Sequence, residues 1–141
     1  MRSGKIVLLV AVVALLIGVG CSKKRVGESD AGLRTINFDF DKYDVRSDAR
    51  NILAQNADYL KKNSSVKVQI EGHCDERGST EYNIALGERR ANAAKKYLSD
   101  LGVGGDRVST ISYGEERPLV NESNPEAWAK NRRAEFRVIS K

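Results

Sequence analysis

The chain has 141 residues, enough for one domain plus accessory segments. Its 24 basic and 19 acidic residues give a net charge of +5, and loss of Arg2 and Lys5 would leave +3. No long basic run stands out, which argues against the clustered basic face of a nucleic-acid binder.

Arg2 and Lys5 precede an uncharged run from Ile6 to Val19, followed by Gly20 and Cys21. A basic start, a short apolar core and small residues before a cut describe a secretory signal over residues 1–20. The run is shorter than the roughly 20 residues that span a bilayer comfortably, so removal is favoured over a retained anchor. A cysteine directly after the small residues resembles a bacterial lipoprotein signal, in which that cysteine receives the lipid and becomes the new N-terminus. Gly18 stands where such signals usually carry Leu; an ordinary signal with a chance cysteine is the alternative. Ser22 follows, and in that family a residue other than Asp there generally permits transfer to the outer membrane. With Cys21 lipidated, Cys74 is the one remaining thiol and an internal disulfide is ruled out despite an oxidising destination.

Residues 21–32 read as a lipidated N-terminus and flexible tether, with Lys23, Lys24, Arg25 and two glycines. Those basic residues either meet anionic head groups or are simply solvated. A single folded domain is expected over 33–141.

Arg34 to Asp41 alternates, with Ile36, Phe38 and Phe40 on one side, and predicts a half-buried strand. Ser47 is the expected N-cap of an amphipathic helix carrying Ala49, Leu53, Ala57 and Leu60 and ending near Asn63. Val66, Val68 and Ile70 alternate with polar residues in a second strand. The second helix is expected over roughly Thr80–Leu101, with Gly102 just past its end, Glu81 near its start, and Lys95 and Lys96 near its end. Arg107–Tyr113 predicts a third strand. Asn124 and Pro125 start a short helix through Trp128, and Ala134, Phe136 and Val138 mark a fourth strand. This order predicts an α/β (α+β) two-layer sandwich with right-handed parallel crossovers; whether every strand neighbour is parallel stays open.

Chemistry concentrates between Gly72 and Ala91. On a helical wheel Tyr82, Leu86, Ala93, Tyr97 and Leu101 cluster on one face, with Arg90 in its middle. A buried arginine needs a partner, so Arg90 is expected to meet a carboxylate from the protein or from a ligand. Gly87, mid-helix at a cost of about 1 kcal/mol against Ala, permits either close packing on the sheet or the approach of something bulky. Asp75 can take an ammonium group and Arg77 a carboxylate, while Asn83 lies on the same side as Arg90. Such a pocket suits a zwitterionic ligand, an amino acid or peptide end, better than a nucleotide. The bland alternative is that Asp75 pairs with Arg90 or Arg77. His73 is the one histidine in the chain, and a tight zinc site usually wants three or four ligands. Neither a metal site nor a catalytic pair is expected, and no cofactor.

Phe38–Arg46 (FDFDKYDVR), Glu71–Ala91 (EGHCDERGSTEYNIALGERRA), Ser112–Pro118 (SYGEERP) and Ala129–Phe136 (AKNRRAEF) together resemble the peptidoglycan-associated lipoproteins of the OmpA-like, peptidoglycan-binding family. The resemblance covers nearly the whole chain after the signal, with the motifs in family order. It implies a β-α-β-α-β-(short α)-β domain with a four-stranded mixed sheet and no enzymatic activity. It also implies noncovalent binding of the meso-diaminopimelate residue in the peptidoglycan stem. Asp75 matches the aspartate that takes the diaminopimelate ammonium, and Arg90 the arginine that holds its carboxylate. Phe40, Asp41, Arg77, Asn83 and Leu86 match pocket-lining positions. Where Cys74 stands, the family often has Ala or Thr. The resemblance further implies the Tol–Pal system, with TolB bound near the same surface, and an outer-membrane position through lipid on Cys21. The alternative is a protein whose main role is as an adaptor for TolB.

Overall fold

The computed structural model describes residues 32–141. The signal over residues 1–20, lipidation at Cys21 and the tether as far as Ala31 lie outside the described residues. Among the described residues no helix is long and apolar enough to cross a membrane.

Strand β1 covers Ile36–Asn37, helix α1 Ser47–Lys62, strand β2 Lys67–His73 and helix α2 Thr80–Asp100. Strand β3 covers Val108–Gly114, helix α3 Pro125–Asn131 and strand β4 Arg133–Ser140. The sheet order is β1-β4-β2-β3. β2 and β3 are parallel and joined through α2, whereas β4 runs antiparallel to both β1 and β2. The fold is therefore the two-layer α/β sandwich with a mixed sheet that the resemblance implies, and parallel pairing is confined to one neighbour pair.

The core follows from period two meeting period 3.6. Val68 and Ile70 of β2 and Ala134 and Phe136 of β4 bury their side chains against Leu53 and Leu60 of α1 and Ala91, Ala94 and Leu98 of α2. The helix ends obey their local chemistry. The Ser79 hydroxyl accepts from the Tyr82 N–H at 3.1 Å, and Asn124 Oδ1 accepts from the Ala127 N–H at 2.8 Å. At the end of α2, Gly102 has φ +94°. Its N–H donates to Ser99 O, and the Val103 N–H donates to Leu98 O, which is a Schellman closure.

Four local expectations are corrected. β1 is two residues long rather than eight: its pairing ends at Asn37, Phe38 stays buried, and the chain then turns at Phe40–Asp41, with Asp41 at φ +57° and Phe40 55% exposed. Ser47 is the first residue of α1, not its cap; Arg46 holds that place without a side-chain capping bond. Lys95 and Lys96 stop short of the last turn of α2, where Lys96 pairs with Asp100 at 3.0 Å instead. The buried face of α2 runs through Asn83, Leu86, Gly87, Arg90, Ala91, Ala94 and Leu98, while Tyr82 is exposed. Large apolar residues misplace that face because small ones line the closest approach. An ideal Cβ on Gly72 would sit 1.8 Å from Gly87 O, so helix and strand touch backbone to backbone.

Candidate functional site

Three segments converge at one end of the sheet. The loop after β2 begins with Cys74, whose N–H is held by Gly114 O at 2.8 Å. Asn83, buried in the first turns of α2, donates to Asp75 O at 3.3 Å and Arg77 O at 3.1 Å, which fixes the loop that carries both residues. The Cys74 Sγ donates to Asn83 O at 3.1 Å, and burial, outweighing the Arg90 charge, pushes its thiol up to about 11. Cys74 is accordingly a protonated structural thiol.

Arg90 is 1% exposed. Its partners are three main-chain carbonyls rather than a carboxylate: Nε donates to Lys42 O at 2.9 Å, Nη1 to His73 O at 3.0 Å and Nη2 to Asp39 O at 3.1 Å. The guanidinium thus ties the β1–α1 loop to the end of β2. These bonds use three of its five N–H donors. Burial lowers its pKa, with the neighbouring Cys74 and Asp75 opposing that shift.

Of the two partners expected for Arg90, a carboxylate of the protein or of a ligand, the protein's own goes elsewhere. Asp75, 4% exposed, accepts from Arg77 Nη2 at 2.9 Å and Nε at 3.2 Å, and from the Arg77 N–H at 3.0 Å. Arg132 Nη1 adds a longer contact at 3.4 Å. Burial by itself would raise the Asp75 pKa; the bonds from Arg77 and Arg132 outweigh it, and the net shift is downward. Arg77 is in turn sandwiched between the Phe40 and Trp128 rings, 3.9 and 4.2 Å from their centroids, and Trp128 Nε1 donates to Glu76 Oε1 at 2.9 Å. Asp41 accepts from the Tyr82 hydroxyl.

The structure brings all seven sequence-predicted residues, Phe40, Asp41, Asp75, Arg77, Asn83, Leu86 and Arg90, to one cavity of about 260 Å³, together with Cys74, Gly78 and Tyr82. Arg132 and Trp128, missed from sequence, order the mouth from the α3–β4 junction; the paired arginines of Ala129–Phe136 were the available signal.

A second polar cluster lies on the sheet face away from α1 and α2. His73 is 2% exposed, and neither ring nitrogen has a hydrogen-bond partner. Glu71 on β2, Arg133 and Glu135 on β4, Tyr113 on β3 and Arg117 beyond it surround His73. Burial first, then Arg133 and Arg117, lower its pKa from 6.5 to about 3. The unfolded chain therefore binds the proton more readily between about pH 3 and pH 6.5, and folding stability falls as pH drops through that window. Glu71, whose pKa is raised chiefly by burial, partly offsets this. With EDTA present, wild type is expected to lose about 3 kcal/mol between pH 6.5 and pH 4 relative to His73→Gln, measured by urea unfolding. Equal pH slopes for the two proteins would contradict the assignment.

Residues 37–132 match the OmpA family. The chain is 44% identical over 141 residues to the peptidoglycan-associated lipoprotein of Pasteurella multocida (strain Pm70), covering 92% of this chain and 94% of that one. It is 46% identical over 121 residues to the protein of the same name from Haemophilus influenzae, covering 83% and 79%. Among solved structures, the peptidoglycan-associated lipoprotein from Burkholderia pseudomallei superposes with a TM-score of 0.73 at 42% identity, covering 74% of this chain and 89% of that chain.

Proposed function

The chain belongs to the OmpA family, and from that premise we propose that it is a peptidoglycan-binding lipoprotein that holds the diaminopimelate residue of the stem peptide noncovalently and so ties the outer membrane to the cell wall. The observation that carries this reading is one small cavity lined by both an ionised Asp75 and a pinned Arg90. Diaminopimelate presents an ammonium and a carboxylate at one end. Asp75 is the acceptor for the first. Arg90, held rigid by three carbonyls and with N–H donors to spare, serves the second at little cost in side-chain entropy. Phe40 and Tyr82 are exposed at the mouth and close over the ligand's aliphatic stem. No bond is broken, so neither nucleophile nor general base is required.

In this reading Cys21 carries the lipid and the chain faces the periplasm. Exposed Phe40, Tyr43 and Tyr82 give an aromatic rim suited to a protein partner, which supports TolB and the Tol–Pal system as a competing ligand of the same face.

Calorimetry on the full chain in detergent tests the ligand. Diaminopimelate-type stem peptide is expected to bind at least tenfold more tightly than lysine-type stem, which lacks the second carboxylate. Varying the ligand is preferable to Arg90→Ala here, because that residue also holds the fold. Equal affinity for the two stems would refute diaminopimelate recognition.

A further inference from the structure

We propose that Glu71, His73 and Glu135 form a binding site for a divalent first-row transition ion, with Zn²⁺ as its best fit. The site lies on the sheet face opposite α1 and α2 and shares no residue with the cavity around Asp75 and Arg90.

The placement follows from strand register. Glu71 and His73 are two apart on β2 and point to the same face. Glu135 is the direct cross-strand partner of Glu71 on β4, where facing side chains start about 5 Å apart. One ligand atom from each residue, including a ring nitrogen of His73, lies within 4.8 Å of the other two. Metal ligands at about 2.0–2.2 Å in a tetrahedron are about 3.4 Å from one another, so side-chain rotation closes the set without moving the sheet. The sequence neighbours Cys74 and Asp75 take no part: both line the other cavity.

The independent sign of a ligand is unmet bonding capacity. Both His73 nitrogens and Glu71 Oε2 are buried with no hydrogen-bond partner. A buried polar atom left unpaired costs about 1–3 kcal/mol, and a buried imidazole and a buried carboxylate, each with an unpaired atom in one cluster, mark a place for a shared partner. An ion supplies it, because imidazole and carboxylates are ordinary donors to such metals. Three protein ligands leave a fourth position for water.

The surroundings temper the affinity. Arg133 Nε already holds Glu135 Oε1 at 2.8 Å, leaving the second oxygen for the ion. Arg137 stands 4.0 Å from Glu71 Oε2, and Arg117 stacks 3.6 Å above the Tyr113 ring. These cations disfavour a further positive charge, so micromolar rather than nanomolar binding is expected.

The test uses the full chain in detergent, stripped with a chelator and titrated with ZnCl₂ by calorimetry, with Co²⁺ as a spectroscopic probe. Wild type is expected to bind one equivalent of Zn²⁺, and to give visible Co²⁺ absorption bands of a four-coordinate site. Glu135→Gln and His73→Gln are each expected to weaken Zn²⁺ binding at least tenfold. Should His73→Gln fail to fold, Glu135→Gln, at a partly exposed position, still decides. Failure of wild type to take up one equivalent at submillimolar Zn²⁺ would overturn the proposal, as would wild-type affinity in Glu135→Gln.

Discussion

Gly72→Ala is expected to destabilise the domain by more than about 3 kcal/mol, at the upper end of overpacking costs. Its new methyl would meet Gly87 O at 1.8 Å and Gly87 C at 2.5 Å. Both are backbone atoms of α2, so no side chain can rotate away. Relief requires the helix to lift from β2, which opens the core around Ala91, Ala94 and Ile70. Gly87→Ala is the instructive contrast. Its methyl would meet the Ser112 Oγ at 2.2 Å and Gly72 O at 3.0 Å. The hydroxyl can turn aside, and Ala recovers about 1 kcal/mol of helix propensity. Urea unfolding of both variants is expected to show Gly72→Ala as clearly the worse. The same lift would displace the loop that begins at Cys74, so stem-peptide binding should fall with stability.

Arg90→Ala is expected to cost about 4 kcal/mol. It removes the side-chain donor from the carbonyls of Lys42, His73 and Asp39, of which Asp39 O keeps the Lys42 N–H at 3.2 Å. A carbonyl left buried without a donor costs about 1–3 kcal/mol, and a cavity opens where the largest fully buried side chain of the described residues stood. Arg90→Lys should recover less than half of this, since one ammonium cannot reach three carbonyls in the plane of a guanidinium. Denaturant melts of the two variants check the order. A loss below about 1 kcal/mol for Arg90→Ala would show that the three bonds do little for the fold.

Arg90 also shows how far sequence reasoning reaches. An arginine on an apolar helical face must be buried with partners, and that much follows from the cost of desolvating a charge. The identity of the partners does not follow. Carboxylates are the strongest acceptors, so they are the natural expectation; the fold supplies carbonyls instead, from Asp39 and Lys42 on either side of the turn at Asp41 and from His73. Asp75 had open alternatives, Arg77, Arg90 or a ligand. The structure pairs it with Arg77 and adds Arg132, which lies 57 residues further along the chain and was invisible to local spacing.

The strands show the same limit. Alternation through Arg34–Asp41 predicts a strand of eight residues, yet alternation reports only which side chains are buried. Phe38 is buried, and its N–H bonds to Arg132 O at 3.0 Å, but the ladder ends at Asn37. Hydrogen-bond partners belong to the neighbouring strand, not to the pattern.

From its residues alone this chain determines its element order, its helix starts to within a residue and the apolar faces of α1, β2 and β4, because periodicity, capping and glycine act over a few residues. Motif resemblance adds the family and the residues around the cavity. Tertiary structure alone decides the rest: the antiparallel insertion of β4 between β1 and β2, the glycine-to-glycine contact of β2 with α2, and the pairings of Asp75 and Arg90. It also decides that His73 and Glu71 face Glu135 rather than their neighbours Cys74 and Asp75. These features depend on distances between residues far apart in sequence, and only the packed sheet sets such distances.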